Sequence, residues 1–328
     1  MRPSERQITA VLKSRGFTWL LIVTSLVMGW VAYNAGIADE AITVDSMWLP
    51  DPERWIASRW ASALSSIVLT GGCCILMAFI NKVHNLMRTV SLLFVGLFTI
   101  MLAATPKIFI AFGSGTVLAF AVLLSILLLY SIYDSPDNTR RLSMVFFILS
   151  CGAVFDYAFV PYIAVFIIGA RQMKCLDWRS FLAAVIGVVT PLWILLGGGL
   201  LSLESFRMPD PRAVYEMYDA MGNINTFVCV GMTMALGLIL GSINLMKIIA
   251  FNARRRAMVG FMCIVGILSG LLCIVDFTNI WAYVTLLYVC VAFQVGLFMR
   301  LYEARRAYIA VLAVMVLYLA CFVWTVSV

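Results

Sequence analysis

The sequence predicts an all-α polytopic membrane protein, with about eleven membrane-inserted helices forming one domain over 1–328 and the N-terminus in the cytoplasm. Three observations carry this. First, 63% of the 328 residues are hydrophobic and 12% charged, with a mean hydropathy of +1.02, whereas a soluble domain is about 45–50% apolar and about 25% charged. Second, apolar runs of membrane-spanning length recur along the whole chain, so the bias is not one anchor attached to a soluble body. Third, the basic residues fall almost entirely on alternate loops.

A helix needs about 20 apolar residues to cross a hydrocarbon core of about 30 Å. Runs of this kind cover 17–35, 61–80, 89–105, 113–133, 181–203, 224–246, 257–275, 279–298 and 307–327. The first is read as a span and not as a cleaved leader, because no Ala-x-Ala type of site follows it. The remaining stretch, 142–170, would be about 43 Å long as one helix, too long for one span and short for two. It carries Asp156 and Pro161 near its middle.

Charge resolves that stretch. If 142–170 is a hairpin of two short helices turning around Tyr157–Pro161, the 16-residue N-terminal arm and the loops 81–88, 134–141, 171–180, 247–256 and 300–306 share one side. They hold 18 of the 23 basic residues, leaving Arg54, Arg59, Lys107, Arg207 and Arg212 for the other. A single crossing would send Arg254-Arg255-Arg256 outward, against the positive-inside tendency. The net charge of +7 is therefore a topology signal. A nucleic-acid surface would gather its basic residues on one face with stacking aromatics, so no nucleic-acid partner is expected.

The two long outer loops, 36–60 and 204–223, hold most of the acidic residues. In the first, Asp39-Glu40 follows the first span closely. It reads either as a carboxylate at a cavity mouth, acting as base or metal ligand, or as a solvated acidic loop lying on the membrane. Beyond Pro50 and Pro52, residues 53–60 read as a short helix, with Trp48, Trp55 and Trp60 suited to the headgroup level. In the second loop, 212–220 reads as an interfacial helix with Val214, Met217 and Met221 on one face.

Asp156 is the most pointed single residue, because a carboxylate inside an apolar hairpin must be protonated, paired or wet. Lys107, Tyr157 and Tyr162 are its nearest partners by type. Asp276 reads as a turn residue on the outer side. The only histidine, His84, reads as a solvated residue of a cytoplasmic loop. Gly71-Gly72 and Gly197-Gly198-Gly199 read as close helix packing or a local break in a span.

The nine cysteines, all but Cys175 inside apolar runs, lack metal-type spacing and read as packing residues with free thiols. No P-loop, nucleophile-elbow or zinc-protease motif is present, and no metal site or cofactor is expected. No internal repeat of the kind built into many secondary transporters can be aligned.

Residues 81–196 carry Val154-Phe155-Asp156 followed by Phe159-Val160-Pro161, then Leu176-Asp177-Trp178-Arg179-Ser180-Phe181 and Gly187-Val188-Val189-Thr190-Pro191. This pattern resembles an uncharacterised family of bacterial polytopic inner-membrane proteins. More distantly, the same stretch resembles the integral-membrane glycosyltransferases of the C-type fold, which use polyprenyl-phosphate sugar donors. Those enzymes pair two short helices, then a basic cytoplasmic loop, then a long helix broken by proline, matching 142–170, Arg171 to Arg179 and the helix of Pro191. They place an acidic residue in the first outer loop, where Asp39-Glu40 stands.

That resemblance implies that Asp39 or Glu40 acts as base toward an acceptor hydroxyl, with Asp156 lining the same cavity. The donor phosphate would fall to Lys107, Arg54, Arg59, Arg207 and Arg212. The expectation is thus a multi-pass protein of the bacterial cytoplasmic (inner) membrane, working in the cell envelope. It would handle a lipid-linked sugar or lipid substrate through an outward-facing cavity, with membrane lipid as its surroundings. The alternatives are a non-catalytic scaffold or assembly subunit with a membrane-protein partner, or a small-molecule transporter.

Overall fold

The computed structural model describes Val11 and residues 14–37, 55–56, 58–87, 92–135, 139–199, 224–247, 251–276, 279–302 and 305–327. Among the described residues every regular element is helical. In chain order they are α1 (Arg15–Asn34), α2 (Arg59–His84), α3 (Leu93–Ala103), α4 (Pro106–Ile110), α5 (Ser114–Ser131) and α6 (Thr139–Phe155). A 3-10 turn (Tyr157–Phe159) leads into α7 (Val160–Gln172). Then come α8 (Trp178–Gly197), α9 (Ile224–Lys247), α10 (Ala253–Val275), α11 (Ile280–Leu301) and α12 (Arg305–Ser327). Eight of these are long and apolar enough to cross a membrane: α1, α2, α5, α8, α9, α10, α11 and α12. The architecture is that of an integral, multi-pass membrane protein.

Stretch 142–170 is two helices, as the charge argument requires. α6 ends at Phe155, the backbone turns extended at Asp156 (φ −137°, ψ 127°), and Pro161 sits in the first turn of α7, where its missing N–H has no helical partner to lose. The two arms return to the same end, where the Asp134 N–H donates to the Met173 carbonyl.

Residues 89–105 differ from expectation. The helix occupies only Leu93–Ala103, about 16 Å against a core of about 30 Å. Pro106 ends it by forcing Thr105 out of the helical region (φ −115°, ψ 76°). All eleven residues of α3 are buried, so it is a core helix wrapped by other helices, not a lipid-facing span.

The centre of the molecule is α11, in which every residue from Ala282 to Val295 is buried. It packs against α10, α9, α5 and α3. A helix apolar on all faces has no solvent side and takes the middle of a bundle. α6 and α8 pack most closely, with Gly187 against the Ser143 carbonyl, a position where a Cβ would collide with that backbone. The Ser150 hydroxyl donates to the Val188 carbonyl (2.6 Å) across the same seam.

α8 runs unbroken through Pro191, so the proline-broken helix suggested by the resemblance is not present. Nor do Gly197 and Gly199 pack against a neighbour. They close α8, with Gly199 in the left-handed region (φ 68°) where its N–H reaches the Leu196 carbonyl. All nine cysteines are free thiols, seven of them buried.

Candidate functional site

The connection between α6 and α7 places Asp156 at one end of the bundle, 4% exposed. Its carboxylate accepts the Ala158 N–H at 2.8 Å and so caps the 3-10 turn, the role an aspartate fills by reaching back to an orphan donor. Ser114, the first residue of α5, is its hydrogen-bonding neighbour. Gly115 holds that contact in register: it lies against the Trp281 carbonyl so closely that a side chain would push α5 from α11.

Asp276, at the end of α10, is more than a turn residue. Its carboxylate accepts Tyr157 Oη at 3.1 Å and Tyr283 Oη at 2.7 Å, and so ties the hairpin tip and α11 to α10. Beneath it Tyr162 and Ser269 share a hydrogen bond of 2.8 Å, and the Tyr162 and Tyr283 rings lie 6.4 Å apart. Asp156 stands between the two short helices and outside them. Burial, with a smaller push from Asp276, raises its carboxyl from its ordinary value, against the pull of the Ala158 N–H and Ser114. Among the described residues, no three His, Cys, Asp or Glu side chains converge as metal ligands.

Of the basic candidates, Arg59 opens α2 with its guanidinium 4.5 Å over the Tyr33 ring, donating to the Tyr33 carbonyl. It clamps the end of α1 to the start of α2. Lys107 lies half-buried on α4 at the same end. Asp39, Glu40, Arg54, Arg207 and Arg212 lie outside the described residues, as do the loop 204–223 with its expected interfacial helix and residues 53, 54 and 57 of the expected short helix at 53–60. His84 is not in a solvated loop: it is the last residue of α2, with its ring edge-on to Tyr130 at 5.5 Å.

A second feature lies on the flank. α1 leans on α3 and α4, and a groove opens between it and α2. Its larger lobe, about 420 Å³, runs from Arg15 and Trp19 past Thr70 and Gly71 to Phe109. The smaller, about 120 Å³, continues over Gly29 and Ala63 to Tyr33 and Trp60, beside the Arg59 clamp. Leu26, Ile67 and Phe109 belong to both. The floor is tied down from α2: Ser66 Oγ donates to the Phe109 carbonyl (2.8 Å), and Ser62 Oγ accepts the Phe112 N–H (2.9 Å).

The two glycines of α2 divide the work. A Cβ on Gly72 would meet the Phe120 ring at 2.9 Å, whereas one on Gly71 would meet nothing within 4 Å. So Gly72 serves packing on α5 and Gly71 opens the groove wall, with no break in the helix.

Asp156 is not among the residues lining the groove. Between them stand Trp55 and two phenylalanines, with the Trp55 ring 6.4 Å from Phe112 and 5.0 Å from Phe155. The acid–tyrosine cluster and the groove mouth therefore share one end of the bundle without sharing walls. No family model, no curated protein and no solved structure matches the chain.

Proposed function

We propose that this is a protein of the bacterial inner membrane that handles a lipid or lipid-linked sugar through the groove between α1 and α2. In this reading the Asp156 end faces outward, the N-terminus is cytoplasmic, and eleven helices are inserted, counting α3, α6 and α7 as partial insertions. The observation that carries it is the groove itself, a lateral, apolar opening that runs the length of α1. Its outer mouth lies under Tyr33 and Trp60, where the chain leaves α1 toward Asp39 and Glu40.

The lining suits a lipid chain, since it is apolar along most of its length and opens sideways between two helices. A lipid tail needs only a narrow slot, and about 420 Å³ lies in the range of small-molecule sites, about 300–1,000 Å³. Within this reading Asp39 or Glu40 is the base for an acceptor hydroxyl. Arg59 and Lys107, with Arg54, Arg207 and Arg212, are the candidates for a donor phosphate.

The test is photocrosslinking of the reconstituted protein with a diazirine-bearing polyprenyl phosphate. Adducts at Leu26, Leu64 or Trp60 are expected, weakened by a long-chain competitor. Adducts confined to the outer faces of α8 and α12 would overturn the reading.

A further inference from the structure

The larger lobe of the groove ends at Arg15, at the end of the bundle opposite the Tyr33–Trp60 mouth, and the lipid-handling reading does not account for that end. Three independent features meet there. Arg15 supplies a cation on the rim of an otherwise apolar lobe. α1 begins at the same residue, with Ser14 Oγ accepting the Phe17 N–H, so the positive pole of the helix coincides with that cation.

The third feature is Thr18, one turn further in. It lines the lobe and is 4% exposed, yet its hydroxyl has no hydrogen-bond partner. Of the other small hydroxyls of the lobe, Ser25 donates to the Ile22 carbonyl and Thr99 to the Gly96 carbonyl, whereas Thr70, beside Gly71 on α2, is a second buried hydroxyl without a partner. A buried hydroxyl without a partner is costly, and in a membrane the common acceptors near an interface are lipid ester oxygens. Deeper in, Gly71 leaves the wall open where any other residue would project.

We infer that the Arg15 end of the groove is a binding site for one anionic phospholipid of the cytoplasmic leaflet. Its phosphate lies at Arg15 and the α1 N-terminus, an ester oxygen accepts from Thr18, and one acyl chain lies along Gly71 toward Ile67. The lipid occupies the Arg15 end of the larger lobe, and the longer-chain substrate enters the groove from the Tyr33–Trp60 mouth. The inference deepens the function proposed above and rests on its orientation.

The experiment is a lipid titration of the full chain in detergent micelles read by native mass spectrometry, with phosphatidylglycerol and phosphatidylcholine as probes. The unmodified protein is expected to retain one phosphatidylglycerol in preference to phosphatidylcholine. Gly71→Trp, placed where a Cβ meets nothing within 4 Å, is expected to weaken retention about tenfold, a loss of about 1.4 kcal/mol. Gly231→Trp on α9, where a Cβ also meets nothing within 4 Å, is expected to leave retention unchanged. Arg15→Gln is expected to abolish the preference for the anionic lipid while phosphatidylcholine retention stays. Thermal stability of each variant is read alongside, and Gly71→Leu replaces Gly71→Trp should the larger side chain unfold the protein.

Equal retention of the two lipids by the unmodified protein, or Gly71→Trp and Gly231→Trp behaving alike, would overturn the inference. Outer-lobe crosslinking that persists in either case leaves the lipid-linked function standing, so the two failures are separable.

Discussion

Asp156 and Asp276 are the residues whose chemistry is most constrained by their surroundings. Asp156 is buried, and its carboxyl is raised chiefly by that burial. The sign follows from linkage. A carboxyl raised in the folded state leaves stability intact below the unfolded value, near 3.8, and stability falls as pH climbs through the folded value. Unfolding temperatures in detergent are therefore expected to decline between about pH 4 and the folded pKa. Asp156→Asn should flatten that slope, because asparagine keeps the cap to the Ala158 N–H without a charge to desolvate. An unchanged slope in the variant would show that other groups produce it.

Tyr283→Phe removes one of the two phenol donors to Asp276 and is expected to cost about 1.5–3 kcal/mol, the range for hydrogen bonds to charged groups. Tyr157→Phe, with the longer bond of 3.1 Å, should cost less. Unfolding midpoints that do not move would mean that Asp276 is already solvated.

Cys175 lies between α7 and α8, where burial, helped by the nearby Asp177 carboxylate, pushes its thiol up to about 11. At pH 8 its alkylation should be slower than that of an ordinary thiol by about two orders of magnitude, given a reference value near 8.5. The rate should return to ordinary on unfolding, as followed by mass-tagged maleimide.

At the scale of the element, the α6–α8 seam depends on Gly187 lying against the Ser143 carbonyl. Gly187→Val is expected to cost about 1–3 kcal/mol through forced separation of the helices, with loss of the Ser150 bond to the Val188 carbonyl. The same change at Gly71 should be near neutral because its Cβ meets open space. Similar midpoints for the two variants would refute the difference in roles.

Helix lengths show what a pattern conveys and what it does not. The start of α7 was readable from Asp156 and Pro161, since both residues act locally on the backbone. The burial of α3 was not, because a lipid-facing span and a protein-wrapped core helix carry the same apolar residues. Pro191 misled in the other direction. A proline marks a lost hydrogen bond, but the packing of α8 against α6 keeps the helix continuous through it.

At the scale of the whole molecule, the arrangement is layered. α11 is enclosed, α10 and α5 are intermediate, and α1, α2, α8, α9 and α12 form the outer ring. The outer helices carry exposed large apolar residues such as Trp19, Val68, Ile186 and Val316, as lipid contact allows. The orientation proposed above predicts that reporter fusions at 134–141 and 247–256 read out as cytoplasmic and one within 204–223 as periplasmic. The reverse pattern, or a mixed one, would refute it.

The all-helical membrane class and the hairpin at 142–170 were legible in the chain alone. Hydrophobic length and the placement of Lys and Arg act through the solvent, and each residue meets that solvent whatever its neighbours are. The pairing of Asp276 with Tyr157 and Tyr283, and the groove that Gly71 opens between α1 and α2, were decided only in three dimensions. The Asp276–Tyr157 contact joins residues 119 positions apart and the Asp276–Tyr283 contact crosses between two helices, while a gap between two side-chain surfaces has no signature in either helix by itself.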